Sequence, residues 1–450
     1  MNELVSASPH LTPLWAVIPF AVYLLLIAAL PLFAGHLWES NVNKLALGIV
    51  AGIPSIVYLA GAAPGGGGLL LQTGCDYVAF MVLLGALFAI SGGICLRGAL
   101  VGSPMVNATF LAIGALLASV IGTTGASALL IRPLLRANAH RARATHVVVF
   151  FIFIVANSGG LLTPLGDPPL FLGFLRGVPF SWTLRLAPAW ALVNGALLVL
   201  FLAFDTVAFA RQRGVAPVTR PSDPAIEIGP LRLEGSLNLV WLLGIVGVVF
   251  ATGLLAPRFA GHPQLQTLVQ VAGMAAFAGL SWITTPQAVR HVNRFSWAPM
   301  IEVAAIFLGV FITMIPALGY LEQQGASLGV TRPAQFFWAA GALSSVLDNA
   351  PTYLTFASLA LGVTDGGGGL VAPGGLGALS AHPTGAQLLA AVSCGAVMMG
   401  AVTYIGNGPN FMVKAIAEQH RVRMPSFFGY VVWSGGILLP LFAVVARIFF

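Results

Sequence analysis

Long apolar segments, separated by short polar ones, recur along almost the whole chain. A helix needs roughly 20 consecutive apolar residues to cross a bilayer. Uninterrupted segments of about this length predict membrane spans at about 13–34, 44–62, 77–97, 185–210, 236–256, 267–284, 299–320 and 427–449. A Gly-rich connector at 64–74 is predicted before the third span. The pattern therefore predicts an all-α polytopic membrane protein.

Two further apolar segments have polar residues at their centres. The segment at about 106–137 contains Gly122-Thr-Thr-Gly-Ala-Ser127, and the segment at about 335–362 contains Ser344-Ser-Val-Leu-Asp-Asn-Ala-Pro-Thr352. Each is too polar at its centre for a plain span and too long for a loop. We therefore predict two re-entrant hairpins with their tips at these residues.

Two other segments, at about 146–176 and 387–418, contain one motif in two copies. Thr163-Pro-Leu-Gly-Asp-Pro-Pro169 recurs as Thr403-Tyr-Ile-Gly-Asn-Gly-Pro409. Pro lacks an N–H and Gly adds backbone entropy, so neither continues a helix well. These motifs predict two broken helices, which bring the total to about ten transmembrane helices plus two hairpins. Unwound backbone at bilayer depth is tolerated only when it is buried in protein or lines a wet cavity.

The distribution of Arg predicts how the two halves are oriented. The loop after the first hairpin holds Arg136, Arg141 and Arg143, whereas the loop at 362–387 after the second contains no Lys or Arg. Because basic loops stay on the cytoplasmic side, equivalent loops are expected on opposite sides, as in inverted-topology repeats. The predicted division is a first repeat at 1–210, a cytoplasmic linker at 211–235 and a second repeat at 236–450, with both termini outside.

Composition excludes several other classes of protein. The chain is 58% hydrophobic and only 7% charged, with a mean hydropathy of +0.94, whereas about 25% of residues are charged in soluble domains. Its net charge of +7 comes from Arg in loops, which indicates topology in a lipid bilayer rather than nucleic-acid binding. The three cysteines form no metal-ligand spacing, and neither GxxxxGK[ST] nor HExxH occurs. We expect no enzyme activity and no cofactor.

Polar residues at the hairpin tips and helix breaks are the candidate binding site. Transporters built from inverted repeats bind their substrates near the midplane, where half-helix ends and unwound backbone meet. The candidate ligands are Thr123, Thr124, Ser127, Asn157, Ser158, Thr163, Asp167, Ser345, Asp348, Asn349, Thr352, Thr403, Asn407 and Asn410. Their oxygens suit a sodium ion, but hydroxyls, amides and backbone N–H groups can equally hold a carboxylate. This polar set alone leaves cation and anion open.

Asp167 and Asp348 narrow the choice, because a charged residue at membrane depth is costly and usually functional. Both fall at predicted breaks, where they are hypothetical sodium ligands. Two acidic groups sharing one pocket repel each other, which would let the site carry either sodium or protons. The alternative is that each carboxylate merely caps the N-terminus of a half-helix.

Two more charged residues have open roles. Glu302 is a possible proton carrier, but it lies near the cytoplasmic end of its predicted span and is equally expected to reach water. Arg132 lies about two turns beyond the first hairpin tip, where it could meet an acidic residue or an anionic substrate. The alternative for Arg132 is that its side chain extends to the cytoplasmic interface.

The motifs resemble those of the ion transporter superfamily, which includes NhaD-type sodium/proton antiporters, citrate/metal and dicarboxylate transporters, and ArsB-type arsenite permeases. The resemblance rests on 121–127, 157–169, 347–351 and 403–410. It extends in particular to a bacterial branch whose members are described as citrate transporters or as sodium:proton antiporters. It implies a scaffold, a moving transport domain with elevator-like alternation of access, a homodimer, and a multi-pass location in the bacterial inner membrane.

The chain departs from this pattern in two ways. Gly122-Thr123 stands where many relatives carry an acidic-amide pair like Asp348-Asn349, and the clear Ser-Asn-Thr tips of dicarboxylate carriers are missing. The first expectation is therefore a sodium/proton antiporter that uses midplane Asp residues by alternating access. The alternative is a sodium- or proton-coupled citrate or dicarboxylate transporter.

Overall fold

Helices form almost all of the regular structure in the computed structural model, which describes residues 12–34, 38, 40–63, 65–98, 101–212, 232–259, 263–364 and 375–450. The helices are α1 (Ile18–Phe33), α2 (Asn41–Gly61), α3 (Gly66–Ser91), α4 (Pro104–Ile121), α5 (Thr123–Ala137), α6 (Thr145–Ile154), α7 (Pro168–Leu175), α8 (Ala187–Gln212), α9 (Leu237–Leu254), α10 (Pro263–Thr284), α11 (Gln287–Val292), α12 (Ala298–Gln324), α13 (Pro333–Ser344), α14 (Asn349–Val363), α15 (Gly375–Ala381), α16 (Pro383–Met399), α17 (Gly408–Gln419) and α18 (Phe427–Phe449).

Ten helical segments of the described chain are long and apolar enough to cross a membrane. They include the first arm of the first hairpin, α4, and the apolar first part of each broken helix. A shorter apolar helix, Leu14–Leu30, occupies the first predicted span. The all-α polytopic prediction is confirmed.

Both halves of the described chain contain the same elements in the same order. In each half, three long helices precede a helical hairpin, a broken helix and a final long helix. The three long helices are α1, α2 and α3 in the first half and α9, α10 and α12 in the second. The hairpins are α4–α5 and α13–α14, and the broken helices are α6–α7 and α16–α17. The opposite orientation of the halves stays a prediction. Most of the predicted linker, 213–231, lies outside the described residues.

Each hairpin turns within a very short segment. Gly122 alone separates α4 from α5, with φ 79° and ψ 150°, a conformation that is essentially restricted to glycine. Thr123 to Ser127, predicted as part of an unwound tip, already belong to α5. In the second hairpin, four residues separate α13 from α14, and the last of them, Asp348, is the N-cap of α14.

The two helix breaks have matching structures. A 3-10 turn follows each first segment, at Ser158–Leu162 and at Gly400–Val402. Thr163 and Thr403 then adopt extended backbone, and a new helix begins five residues later in each case. Pro168 occupies the first position of α7, where its missing N–H has no partner to lose.

The structure corrects the predicted third span in two places. Helix α3 begins at Gly66, inside the predicted Gly-rich connector, because a helix satisfies its own backbone groups where lipid offers no partners. The helix ends at Ser91, and Cys95–Arg97 forms a strand, β1, that pairs antiparallel with β2, Arg232–Glu234. The segment assigned to the end of the span is therefore a strand, and the end of the predicted linker is its partner.

Helix packing divides the described chain into two bundles. In bundle A, α12 packs against α1, α2 and α3, and α10 packs against α3 and α9. In bundle B, α13, α14 and α16 pack together, α4 packs against α5 and α8, and α17 packs against α5 and α6. The bundles meet where α12 packs against α14 and where α3 packs against α5 and α7. Both hairpins and both broken helices belong to bundle B.

Gly122→Ala should destabilise the protein by about 1–3 kcal/mol, since a residue with a side chain cannot adopt the backbone conformation of Gly122 without strain. Gly195→Ala is a matched control, because a Cβ at Gly195 meets nothing within 4 Å and the position lies inside α8. Thermal unfolding of both variants in detergent tests this difference. Equal melting temperatures for the two variants would contradict it.

Candidate functional site

The helix breaks and the hairpins are joined by the same pair of contacts in each half. The Thr163 hydroxyl donates to the backbone carbonyl of Ser119, and the Thr403 hydroxyl donates to the backbone carbonyl of Ser345. Each hydroxyl also accepts a hydrogen bond from the backbone amide two residues further on. Each threonine therefore fixes its unwound segment against the neighbouring hairpin.

Asp167 lies between the two hairpin tips and is only 1% exposed. Thr123 donates from Oγ1 to Asp167 Oδ1 over 2.9 Å, and Asn349 donates from Nδ2 to Asp167 Oδ2 over 2.7 Å. Thr123 is the first residue of α5, and Asn349 is the first residue of α14. One carboxylate from the first break thus binds both hairpins.

Asp167 is the N-cap residue of α7, yet its side chain does not cap the helix. A capping side chain accepts from backbone amides in the first turn. The first two positions of α7 are Pro168 and Pro169, which carry no N–H, and the amide of the third, Leu170, donates to the Asp167 backbone carbonyl over 3.1 Å. The carboxylate is therefore available to Thr123 and Asn349.

Three asparagines form a second buried cluster at the two breaks. Asn407 donates to Asn157 Oδ1 over 3.2 Å, and Asn157 donates to Asn410 Oδ1 over 2.7 Å. Asn410 then donates to the backbone carbonyls of Gly400 and Thr403, over 2.8 and 2.9 Å. These amides satisfy unwound carbonyls that lipid could not. They also connect the first break to the second.

Gly400 lies where the two clusters meet. A Cβ at Gly400 would collide with Asn349 Oδ1 and would lie 3.0 Å from Asn157 Oδ1. Ser344 donates to Asn349 Oδ1 over 2.6 Å, which orients this amide so that its nitrogen faces Asp167. The absence of a side chain at Gly400 therefore lets the asparagine of the second hairpin approach the first break.

Asp348 caps the N-terminus of α14, as the alternative for the two aspartates predicts. Its Oδ1 accepts from the Ala350 amide over 3.1 Å at the start of α14. The side chain is half-buried, and its charge is close enough to act on Asp167. Asp167 and Asp348 are thus brought to one region, but through different contacts.

Apart from Asp348, the predicted ligands fall into two groups, those joined to one another at the breaks and hairpins and those that are not. Thr123, Asn157, Thr163, Asp167, Asn349, Thr403, Asn407 and Asn410 are joined in the contacts above. The hydroxyls of Ser345 and Thr352 bond to carbonyls of their own hairpin, and Ser158 bonds to the Phe153 carbonyl and to Asn194 of α8. Thr124 is half-buried in the first turn of α5, and Ser127 is fully buried one turn beyond Thr123.

Glu302 and Arg132 lie outside the central cluster. Glu302 pairs with Lys44 over 2.6 Å, which joins α12 to α2 within bundle A. Arg132 is half-buried on α5 and lies within electrostatic reach of Arg136 and Arg294. Neither side chain hydrogen-bonds to Asp167.

A buried charged cluster elsewhere was missed by sequence reasoning. Asp205 of α8 is fully buried, and its oxygens accept from Arg141 over 2.5 Å and from Asn107 over 3.1 Å. His146 Nε2 also lies 2.7 Å from Asp205 Oδ1. This cluster joins α4, α6 and α8 beneath the Arg-rich loop. The available signal was an Asp inside an otherwise apolar predicted span.

Paired hairpins and broken helices that meet at a buried carboxylate, together with ten candidate membrane spans in the described part of the chain, are features of a multi-pass membrane transporter. The chain matches the family model described as "Putative citrate transport" over residues 9–450, and it belongs to this family. The match confirms the resemblance to the ion and citrate transporter superfamily and indicates a secondary transporter rather than an enzyme. No curated protein matches the chain.

Thr163→Val and Thr403→Val should each destabilise the protein, by about 0.5–1.5 kcal/mol for each hydrogen bond lost. Each substitution removes one hydroxyl that joins a break to a hairpin, while it keeps the branched shape of the side chain. Thermal unfolding in detergent provides the comparison. A large loss for one variant with none for the other would show that the two contacts are not equivalent.

Proposed function

We propose that this protein is a cation-coupled secondary transporter that exchanges sodium for protons at Asp167. The observation that supports this proposal is the position of one buried carboxylate, at an unwound break, between the tips of both hairpins. Such a position is reached by groups from both halves of the chain. A cation bound at Asp167 would contact groups from both halves.

The charge of this centre favours a cation. The partners of Asp167 and Asp348 within the described chain are hydroxyl, amide and backbone N–H groups, and no described Lys or Arg forms an ion pair with either. An uncompensated charge at membrane depth is costly, and binding a sodium ion or a proton removes that cost. The acidic centre is thus suited to both ions.

The oxygen atoms around Asp167 are possible ligands for a sodium ion that replaces a proton. A hard cation takes carboxylate, hydroxyl and carbonyl oxygens as ligands. The Thr123 hydroxyl can rotate to present a lone pair, and the Asn349 amide carries a carbonyl oxygen beside its nitrogen. When sodium holds the carboxylate, the same oxygens cannot keep a proton. Sodium and protons therefore compete, and movement of bundle B against bundle A would expose the site to either side in turn.

Coupled uptake of citrate or a dicarboxylate is the second candidate, and the family description favours it. A multivalent anion is repelled by Asp167 and Asp348 unless their charge is first neutralised. The coupling cation would then have to bind before the anion. The amides of Asn157, Asn407 and Asn410 could then donate to a carboxylate only by releasing the protein oxygens that they now hold. Assembly as a homodimer and a location in the bacterial inner membrane belong to the same proposal.

Asp167→Asn should abolish coupled transport, whereas Asp348→Asn should keep much of it. Asn and Asp are about equally good N-caps, so Asp348→Asn preserves the start of α14 and removes only charge. Asp167→Asn removes a charged ligand, and loss of about 1.5–3 kcal/mol corresponds to roughly 10- to 100-fold weaker cation binding. Proteoliposomes with an internal pH dye, challenged with sodium, report the exchange. Full exchange by Asp167→Asn would contradict the proposal.

The same vesicles separate the two candidates. Sodium-driven proton movement without citrate supports exchange, while uptake of labelled citrate that requires sodium or protons supports the second candidate. Correctly folded protein that moves neither sodium, protons nor citrate would reject both.

A further inference from the structure

A buried ion pair crosses the interface between the two bundles. Arg176 Nη2 lies 3.1 Å from Asp76 Oδ2, and the two side chains are only 8% and 3% exposed. Asp76 Oδ1 also accepts a hydrogen bond from Gln72, one turn earlier on α3. Asp76 lies in α3 of bundle A, and Arg176 is the C-cap residue of α7 in bundle B. Neither residue belongs to the candidate binding site.

Asp76 is firmly held in bundle A. Tyr77, the next residue of α3, donates from its hydroxyl to the Ala304 carbonyl of α12 over 2.9 Å. One turn beyond Asp76, the Phe80 ring packs against Phe307 and Phe311 of α12, with centroids 5.1 and 5.6 Å away. The Asp76 carboxylate therefore marks a fixed point of bundle A.

Arg176 is connected directly to the candidate site. Helix α7 has eight residues, which corresponds to about 12 Å, with Asp167 at its N-cap and Arg176 at its C-cap. A displacement of α7 along or away from α3 changes the Arg176–Asp76 distance and the position of Asp167 together. The ion pair therefore restrains the position of α7, the helix that begins at Asp167.

The burial of this pair makes it sensitive to position. Separating two buried charges without supplying new partners leaves each uncompensated, and removing one partner of such a pair typically costs about 3–5 kcal/mol. Any contact made in one arrangement and lost in another shifts the equilibrium toward the first. An ion pair that joins the two bundles therefore favours the arrangement seen here over one in which α7 has moved.

We propose that the Asp76–Arg176 pair stabilises this one arrangement of the bundles, and that it separates each time bundle B moves against bundle A. The proposal rests on the proposed transport cycle for its purpose, but the effect on bundle position stands without it. Arg141–Asp205 provides a comparison, because it is also buried, with side chains only 1% and 0% exposed, but lies wholly within bundle B. Breaking that pair should affect stability without changing how the bundles are arranged.

Distance measurement between spin labels tests the proposal without any transport assay. Labels would be placed at exposed positions, Ile283 of α10 in bundle A and Phe428 of α18, which packs against α8 and α13 of bundle B. Cys75, Cys95 and Cys394 would first be replaced by Ser. We expect one dominant distance in the parent protein and a second population in Asp76→Asn and in Arg176→Gln. Asp205→Asn should keep the parent distribution. Unchanged distances in both pair variants would overturn the proposal.

Reversible cross-linking then tests whether the pair must separate during transport. In the cysteine-free background, Asp76→Cys/Arg176→Cys would be joined by a bifunctional methanethiosulfonate, with Lys414→Cys/Glu418→Cys, one turn apart on α17, as the control. Transport should stop in the linked pair, return on reduction and continue in the linked control. Full transport by the linked pair, or a pair that fails to link while the control links, contradicts the proposal. If the unlinked proteins move no ion or citrate, the proposed function fails, and the spin-label distances still decide this inference.

Discussion

The need to satisfy unwound backbone inside a membrane governs the centre of this protein. Two helices are broken at mid-span, and each restarts five residues after an extended threonine, Thr163 or Thr403. Lipid offers no partner for the backbone groups left between the helical parts. The side chains of Thr163, Thr403 and Asn410 provide those partners. Once these groups are committed to the backbone, the side chains of Asp167 and Asn407 are available to reach other elements. The proposed binding centre is thus a consequence of how the breaks are stabilised.

The two halves place similar backbones but different charges at this centre. Asp167 and Asn407 occupy the same position in the repeated motif, and neither caps its own helix. Asp167 contacts both hairpins, whereas Asn407 contacts the first break. One break therefore carries a negative charge and the other is neutral. This asymmetry supports a single acidic centre beside a cluster of amides, rather than two equal sites.

Segment length and helix-breaking residues made much of the fold predictable. The predicted last span, 427–449, coincides with α18. The Gly and Pro residues predict the first break at 157–169, and it lies between Ile154 and Pro168. The predicted start of the third span is wrong because Gly is a poor helix former in water, whereas lipid and protein surroundings favour internal hydrogen bonds. Local composition carries no information about such surroundings.

The candidate site was predictable only in part, for a similar reason. The motifs indicated which polar residues lie at the breaks, but the partners of Asp167 come from segments 44 and 182 residues away. The different roles of Asp167 and Asp348 could have been anticipated in part, because Pro169 removes one of the two amides that a capping side chain uses. An Asp inside an apolar predicted span marks Asp205, but the partners of Asp205 and Asp76 are not predictable from sequence, since they lie on distant elements without any repeated spacing.

In the proposed function, one buried carboxylate, Asp167, holds either a sodium ion or a proton. Calorimetric titration of the purified protein with sodium at two pH values, in buffers of different ionisation enthalpy, tests it most directly. The account predicts weaker sodium binding at the lower pH and release of protons as sodium binds. Sodium binding with the same affinity at both pH values and without proton release would contradict it.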